Sequence, residues 1–217
     1  MKKFIGILLF AFTALTSQCQ FIDTLQSALQ KKGCFVFSFD SRDSYINNNY
    51  ANIFGVMAGV CFDEKLTIGG GYNALSSPIY KTQYMDGNVV NTKLNFTYFS
   101  YFVEYTINYT KHWELDLPVL IGIGSSSYQY NMNDFTINKN RKIIMPIEPQ
   151  VTLGYNINKY VELSTQVGYR FMLINNNLLN YHFNSITYSV GLSVSPFELY
   201  VHFFPNTKLA KLIGANS

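Results

Sequence analysis

Charged residues are scarce in this chain of 217 residues, and their scarcity limits the class of protein first. Asp, Glu, Lys and Arg make up only 13% of the sequence, whereas water-facing globular domains carry about 25%. The chain is instead rich in hydrophobic residues, at 48%, and in aromatic residues, with 17 Tyr and 18 Phe. This composition disfavours a protein whose whole surface faces water.

Long hydrophobic runs are also absent beyond residue 20. No later stretch approaches the ~18 uninterrupted apolar residues that a membrane helix needs. The 16 basic and 13 acidic residues nearly balance, so no basic surplus favours nucleic acid as a partner. The sequence has no metal-ligand spacing, no phosphate-binding loop and no nucleophile elbow, and it therefore predicts no cofactor.

The first 19 residues have the features of a secretion signal. Two lysines precede an apolar core at 4–15, and Ser17 and Cys19 supply the small residues that predict cleavage before Gln20. Cys19 leaves a lipoprotein alternative open, which Gln18 disfavours because a small residue should precede a lipidated cysteine. We therefore expect an exported protein whose signal peptide is 1–19.

A short amphipathic helix is predicted for 20–33. Ile22, Leu25 and Leu29 recur at helical spacing, and Gly33 is placed to end the helix. The helix is expected at the near rim of the structure that follows, and an amphipathic clamp on a membrane surface is the alternative.

The stretch Trp113–Gly124 organises the rest of the chain. Every second residue from Trp113 to Ile123 is apolar, and the residues between them include Glu114, Asp116 and two glycines. Successive side chains of a strand point to opposite sides, so one face is wholly apolar and the other is acidic or small. A soluble sandwich would bury the apolar face, whereas a transmembrane barrel turns it towards lipid.

Seven further stretches alternate in the same way, and each can supply the ~9–11 residues of a tilted membrane strand. The eight predicted strands are 34–42, 53–62, 66–75, 90–109, 113–130, 145–155, 161–171 and 185–193. In the fourth, the alternation changes phase near Tyr98 and Phe99, which predicts a β-bulge. The pattern predicts an all-β fold, namely a closed antiparallel up-and-down transmembrane β-barrel of about eight strands over 34–204.

Short and long connections alternate along the chain, as they do in outer-membrane barrels with short periplasmic turns and longer outside loops. The short links are 63–65, 110–112 and 156–159, and the long polar ones are 43–49, 76–88, 131–141 and 175–182. An interfacial aromatic girdle is predicted near the short-turn end. Its members are Tyr105, Tyr109, Trp113, Tyr155 and Tyr160. A soluble, lipocalin-like periplasmic binder is the rival fold, and it should carry many more Lys and Glu outside.

The predicted inner face carries the charges of the strands. Its members are Asp40, Arg42, Lys93, Glu104, Glu114, Asp116, Glu148, Glu162 and Arg170. A bore of about eight strands is filled by side chains, so we expect a lumenal network of ion pairs and no water channel. A proton path or a binding site is the alternative interpretation.

Cys34 and Cys61 are predicted to face inward on neighbouring strands, nearly opposite each other. The periplasm permits disulfides, so the sequence predicts a Cys34–Cys61 bridge, with two small core thiols as the alternative. At the end of the chain, Ser195–Glu198 forms a capping box that predicts a short helix to Phe204, although a strand continuing the barrel is the alternative. A basic tail, 205–217, closes the sequence.

One catalytic hypothesis arises from the predicted closure of the barrel. The last strand pairs with the first, which could bring His182 near Asp43 and Ser44 at the outer rim as base, orienter and nucleophile. Three polar rim residues without a catalytic role are the simpler interpretation.

The overall plan resembles the small eight-stranded outer-membrane barrels of the OmpA/OmpX type. More narrowly, the stretches 39–73, 113–124 and 148–173 resemble an uncharacterised family of Bacteroidetes outer-membrane barrel proteins. A helix ahead of eight strands also resembles the PagP-type lipid A palmitoyltransferases. The resemblance implies an outer-membrane location but carries over no functional residue.

Two hypotheses about function follow. The first is a non-enzymatic outer-membrane barrel without an open pore, in contact with outer-membrane lipid, which supports the envelope or whose outer loops bind envelope or surface proteins. The second is a lipid-modifying enzyme with a rim site near His182, Ser44 and Asp43.

Overall fold

Nine antiparallel strands and one short helix make up nearly all of the described chain. The computed structural model describes residues 27, 29–31, 33–85, 88–108, 110, 112–132, 135–158, 160–179, 181–194, 196–204 and 206–207. The strands are β1 (Gly33–Ile46), β2 (Asn49–Phe62), β3 (Leu66–Leu75), β4 (Tyr80–Met85), β5 (Asn88–Asn108), β6 (Trp113–Met132), β7 (Phe135–Asn158), β8 (Val161–Ile174) and β9 (Ser185–Val194). A 3-10 turn (Asn177–Leu179) precedes β9, and helix α1 (Pro196–Phe203) follows it.

Eight of these strands close into a ring. The hydrogen-bonded order runs β1–β2–β3–β5–β6–β7–β8–β9, and β9 pairs back onto β1. The described closing register joins Asp43 to Tyr188 and Ser44 to Thr187. The predicted closed up-and-down barrel of about eight strands is therefore confirmed.

The two ends of the ring differ, and we name them by their connections. At the turn end lie the chain entry into β1 and the β2–β3, β5–β6 and β7–β8 connections. At the loop end lie the β1–β2 hairpin, strand β4, the β6–β7 hairpin and the β8–β9 connection. Strands β5, β6 and β7 have 21, 20 and 24 residues, so at the loop end they rise beyond the ring as a sheet with β4 on its edge.

Two of the predicted long loops are wrong. The range 43–49 continues β1 into β2 through the two-residue turn Asn47–Asn48, whose φ values of 50° and 64° suit a tight hairpin. The range 131–141 is likewise mostly strand, because β6 runs to Met132 and β7 begins at Phe135. Asn tolerates the left-handed conformation, so Asn-rich runs also form hairpin tips and need not be loops.

The predicted bulge near Tyr98 and Phe99 is also wrong. The pairing of β5 with β6 is unbroken there, with Tyr98 opposite Gly124 and Phe99 opposite Ile123. A register shift occurs instead between β6 and β7, next to Asn140, whose φ is 58°.

The outer wall of the ring is apolar and exposed. On β5, β6 and β7 its exposed large side chains are Phe99, Tyr101, Val103, Ile107, Trp113, Leu117, Val119, Ile121, Ile123, Ile143, Val151, Leu153 and Tyr155. We call these the apolar belt. The same outward pattern continues on the other strands, where Phe35 is 75% exposed and Val190 is 79% exposed. Many of the large apolar side chains of these strands are therefore turned away from the interior.

The interior is divided into two zones. At the loop end it is filled by an apolar and aromatic cluster of Ile46, Ala51, Ile53, Ile79, Leu94, Phe96, Tyr98, Tyr128, Tyr130, Ile144, Leu179, Tyr181 and Phe183. Below this cluster many of the buried side chains are polar or charged, including Arg42, Glu148 and Gln150, although Phe102 and Leu120 are also buried there. The sequence pattern predicted a polar inner face along the whole barrel. It missed the apolar zone because it predicted a change of phase near Tyr98, whereas every second residue of β5 from Leu94 to Phe102 is buried.

The two predicted helices have different outcomes. Most of the predicted helix 20–33 lies outside the described residues, although Ser27 and Leu29 are helical. Lys31 pairs with Asp63 in the β2–β3 turn, and its hydrogen bond lowers the pKa of that carboxyl. The C-terminal segment is confirmed as a helix, α1. The signal 1–19 and nearly all of the tail 205–217 lie outside the described residues, and those boundaries stay predictions.

No helix within the described ranges is long and apolar enough to cross a bilayer.

Two glycines in the barrel wall differ in how closely the neighbouring strand approaches them. A Cβ on Gly124 would overlap the carbonyl oxygen of Thr97 and the Cα of Tyr98, and backbone atoms cannot move aside. A Cβ on Gly70 would lie 3.3 Å from its nearest neighbour, the carbonyl oxygen of Ser100. We expect Gly124→Ala to lower the free energy of unfolding by about 1–3 kcal/mol.

Urea unfolding of the protein in lipid vesicles, followed by the fluorescence of the single tryptophan, Trp113, measures this effect. Gly70→Ala is the matched control, and its stability should change much less. Equal effects of the two substitutions would contradict the strand spacing described above.

Candidate functional site

Arg42 is the centre of a buried ionic cluster in the lumen. Its side chain and that of Glu148 are almost fully buried, with exposures of 1% and 2%. The guanidinium pairs with Glu148 and with Asp40, whose carboxylate oxygen lies 2.5 Å from Nε, and it donates to the amide oxygen of Asn73. The hydroxyl of Tyr98 donates to Glu148 at 2.9 Å. One cation therefore joins β1, β3, β5 and β7 across the bore.

Neutral side chains extend this cluster around the ring. Asn73 donates to Ser100 at 2.8 Å, and Gln150 donates to Glu148 at 3.4 Å. Gln166 bonds to Gln150, and Ser189 donates to Gln166 at 3.2 Å. The resulting hydrogen-bonded chain reaches from β3 to β9, so polar side chains link the strands through the interior of the barrel.

Arg170 lies apart from the other predicted network members. Its Nε donates to the carbonyl oxygen of Phe183 at 3.0 Å, and its Nη2 donates to the hydroxyl of Ser44 at 2.7 Å. The guanidinium also lies 5.6 Å from the ring centroid of Phe96. Within the described part of the chain, no carboxylate lies within 4.0 Å of it. Arg170 therefore links β8 and the β8–β9 connection to β1 instead of joining an ion pair with a described residue.

Four of the predicted acidic residues gather at the turn end. Carboxylate oxygens of Glu114, Asp116 and Glu162 lie within 4.8 Å of one another, and Glu104 interacts electrostatically with all three. Asn156 donates to Glu114 at 3.2 Å. No Lys or Arg among the described residues lies within 4.0 Å of these four carboxylates. The cluster has the spacing of cation ligands, but acidic groups this close are common without an ion.

The two cysteine positions are directly opposed. The β1–β2 register pairs Cys34 with Cys61. Opposed positions on neighbouring antiparallel strands are close enough for a bridge. The disulfide itself stays a prediction.

The predicted girdle residues that the structure describes lie at the turn end. The rings of Trp113 and Tyr155 are 4.8 Å apart, and the rings of Tyr160 and His202 are 5.2 Å apart. Tyr105 is opposite Leu66, at the start of β3. Tyr109 lies outside the described residues.

The three rim residues of the catalytic hypothesis do not form a hydrogen-bonded triad. Ser44 is buried, donates to the carbonyl oxygen of Ala51 at 3.2 Å and accepts from Arg170. Asp43 points to the other side of β1 and accepts from Tyr50 and from Asn52. His182 contributes its carbonyl oxygen to the backbone N–H of Asn47, and its side chain is exposed.

The connection between β8 and β9 folds over the loop end of the lumen. Tyr128 donates to the carbonyl oxygen of Leu179 at 2.5 Å, and Asn176 donates to the carbonyl oxygens of Ser126 and Asn140 at 3.0 and 2.8 Å. Tyr181 is buried below Lys81, and burial raises its pKa to about 12. This connection closes the mouth of the barrel with its own apolar side chains.

Sequence reasoning missed strand β4 and the surface that it forms. Tyr80, Thr82 and Tyr84 are exposed and alternate with less exposed residues. The alternation was a visible signal, but Ser76, Ser77 and Pro78 before it favoured a loop. A polar groove of about 300 Å³ lies on this sheet, lined by Tyr80, Asn91, Lys93, Gln129, Tyr130 and Thr136. The prediction that Lys93 faces the lumen is wrong, because its side chain is exposed on this sheet.

We expect Arg42→Met to lower the free energy of unfolding by about 3–5 kcal/mol, because it leaves Asp40 and Glu148 in the lumen without their cation. The double variant Arg42→Met/Glu148→Leu leaves only Asp40 without a cation and should be more stable than the single one. Urea unfolding in lipid vesicles measures both.

Lys65→Met, which removes an exposed cation, is the control and should change stability by less than about 0.5 kcal/mol. An Arg42→Met protein as stable as this control, or a double variant no better than the single one, would show that the lumen does not depend on the pair.

No family model matches the sequence, and no curated protein does. Neisserial surface protein A matches the structure with a TM-score of 0.55 and 12% identity, over 74% of this chain and 96% of that one. Ail of Yersinia pestis, solved with the heparin analogue sucrose octasulfate, matches with a TM-score of 0.49 and 11% identity, over 75% and 98%. The N-terminal β-barrel domain of Pseudomonas aeruginosa OprF matches with a TM-score of 0.45 and 9% identity, over 76% and 97%. At these identities the comparison shows a similar fold and no more. This conclusion rests on Neisserial surface protein A, whose TM-score is 0.55.

Proposed function

We propose that this protein is a non-enzymatic outer-membrane β-barrel without an open pore, which contacts surface partners through the sheet at its loop end. The single observation that carries the proposal is the inverted wall. Large apolar side chains are exposed on the outside, whereas Arg42, Glu148 and Arg170 are buried inside. The resemblance to Bacteroidetes barrel proteins remains a prediction.

The apolar belt supports a lipid environment. None of its members is charged, and they lie on the outer face of three neighbouring strands, β5, β6 and β7. Soluble monomers rarely expose contiguous apolar patches larger than a few hundred Å². A soluble lipocalin-like binder would place such side chains inside the barrel, so the belt argues against that alternative.

The height of the belt matches a bilayer. On β6 the outward apolar residues run from Trp113 to Ile123, and the next outward residue is Ser125. A tilted membrane strand needs about 9–11 residues, which is the length of this stretch. Trp113 and Tyr155 lie at its turn-end edge, and aromatic side chains favour the interface between membrane and water.

The filled interior supports a closed barrel. The Arg42 cluster occupies the middle of the lumen, and Tyr128, Leu179 and Tyr181 close its loop end. Eight strands give a bore that side chains can fill. This filling favours a barrel without an open pore.

The sheet at the loop end supports the surface role. Tyr80, Tyr84 and Val89 expose 58%, 75% and 71% of their surface, and β4 pairs with β5 but has no strand on its other side within the described chain. Aromatic residues and open strand edges favour contacts with other proteins. At the rim, Ser44 is bound to Arg170 and Asp43 lies on the opposite side of β1, which favours a non-enzymatic role.

The proposed function requires the loop end to face the outside of the cell, and cysteine accessibility in cells tests this orientation. In a Cys34→Ser/Cys61→Ser background, a membrane-impermeant maleimide should label Thr82→Cys in intact cells. The same reagent should label Glu64→Cys, in the β2–β3 turn, only after the outer membrane is permeabilised. The purified protein should produce no conductance steps in a planar bilayer.

Labelling of Glu64→Cys in intact cells together with protection of Thr82→Cys would reverse the orientation. Recovery of the protein in the soluble periplasmic fraction would contradict the membrane location. Steady single-channel conductance would contradict the closed lumen.

A further inference from the structure

We propose that a groove on the outer wall binds the phosphate of an outer-leaflet lipid, through Arg141 and Lys142. The groove has a volume of about 390 Å³. Its lining residues are Tyr72, Thr97, Tyr98, Phe99, Gly124, Ser125, Arg141, Lys142 and Ile143. The inference rests on the proposed function, because it requires the loop end to face outward.

The lower part of the groove is apolar and belongs to the belt. Phe99 and Ile143 are exposed by 63% and 61%, and the rings of Tyr72 and Phe99 lie 5.1 Å apart. These side chains offer a flat hydrophobic floor below the two cations. An acyl chain fits this floor, because burial of its methylene groups against aromatic surface is favourable.

The upper part of the groove is cationic. The Nε of Arg141 donates to the hydroxyl of Ser125 at 3.2 Å, which holds the guanidinium against β6. Lys142 is exposed beside it. No Asp or Glu lines the groove, and no carboxylate among the described residues lies within 4.0 Å of either cation. The charge is therefore not neutralised by this part of the chain.

An irregular stretch of β7 brings the two cations together. Neighbouring residues of a regular strand point to opposite sides, so one of the pair would otherwise face the lumen. The register between β6 and β7 shifts here, from Lys142 opposite Ser126 to Lys139 opposite Tyr128, and Asn140 between them has a φ of 58°. A bulge re-aims side chains, and both cations line the same groove.

The position of the groove along the barrel wall favours a lipid headgroup as its ligand. The outward residues above the belt on β5 and β6 are Thr97 and Ser125, so Arg141 and Lys142 lie where hydrocarbon gives way to headgroups. An Arg guanidinium matches two phosphate oxygens, and a Lys ammonium supplies a point charge. The phosphorylated glycolipid of the outer leaflet combines acyl chains below with phosphate at this height.

The test uses the full-length mature protein in mixed micelles, titrated with lipid A and with enzymatically dephosphorylated lipid A. The double variant Arg141→Gln/Lys142→Gln should bind lipid A roughly 10- to 30-fold more weakly than the wild type. Binding of the dephosphorylated lipid should be equally weak for both proteins. Arg141→Lys should retain part of the affinity, because the charge remains and the two-point contact is lost.

The matched control is Lys81→Gln/Lys93→Gln, which removes the same charge from the loop end outside this groove, and its affinity should change less than about 2-fold. Inorganic phosphate alone should compete weakly, whereas strong competition would indicate a soluble-anion site and overturn the proposal. Equal lipid A affinity of the wild type and of the Arg141/Lys142 variant would also overturn it. If Thr82→Cys is still labelled in intact cells, the loop end faces outward. A negative lipid A titration would then reject the lipid site and leave the proposed function standing.

Discussion

The structure depends on one constraint. Because the outside of the wall is apolar, the charged and polar side chains of the strands must find their partners inside the barrel. Arg42 meets this constraint by pairing with Asp40 and Glu148 and by donating hydrogen bonds to Asn73 and Tyr98. An ion buried without partners would cost several kcal/mol, by an order-of-magnitude argument. The same contacts join strands that are not neighbours, so the charge cluster also fixes the cross-section of the barrel.

The two zones of the interior follow from this constraint and from the loop-end sheet. In the middle of the ring, polar side chains face each other and form a continuous hydrogen-bonded chain. Nearer the loop end, aromatic residues of β5 and β6 meet the β8–β9 connection, and Phe96 stacks on Phe183 with ring centroids 5.1 Å apart. Arg170 lies between the zones and ties the closing strands together. The filled lumen and the tall sheet are the reasons for proposing that the loop end, and not the bore, contacts partners.

Much of the barrel could be predicted from sequence, because period-two alternation is a local signal that tertiary contacts reinforce. Strand β3 begins and ends where the pattern predicts, and β6 begins at Trp113 as predicted. The strand character of 43–46, beside the tight turn at Asn47–Asn48, and strand β4 were missed, because polar and Asn-rich stretches suit both loops and strand tips. The partner of Arg170 could not be predicted either, since it depends on how the β8–β9 connection folds inward.

Paramagnetic accessibility along β6 tests the central claim most directly. Nitroxide labels placed one at a time at positions 117 to 123, in protein reconstituted into bilayers, should show oxygen accessibility with a period of two. Odd positions should be accessible to oxygen and protected from a water-soluble nickel complex, and even positions should be protected from both. Odd positions that respond to the nickel complex, or a profile without alternation, would contradict an apolar wall facing lipid.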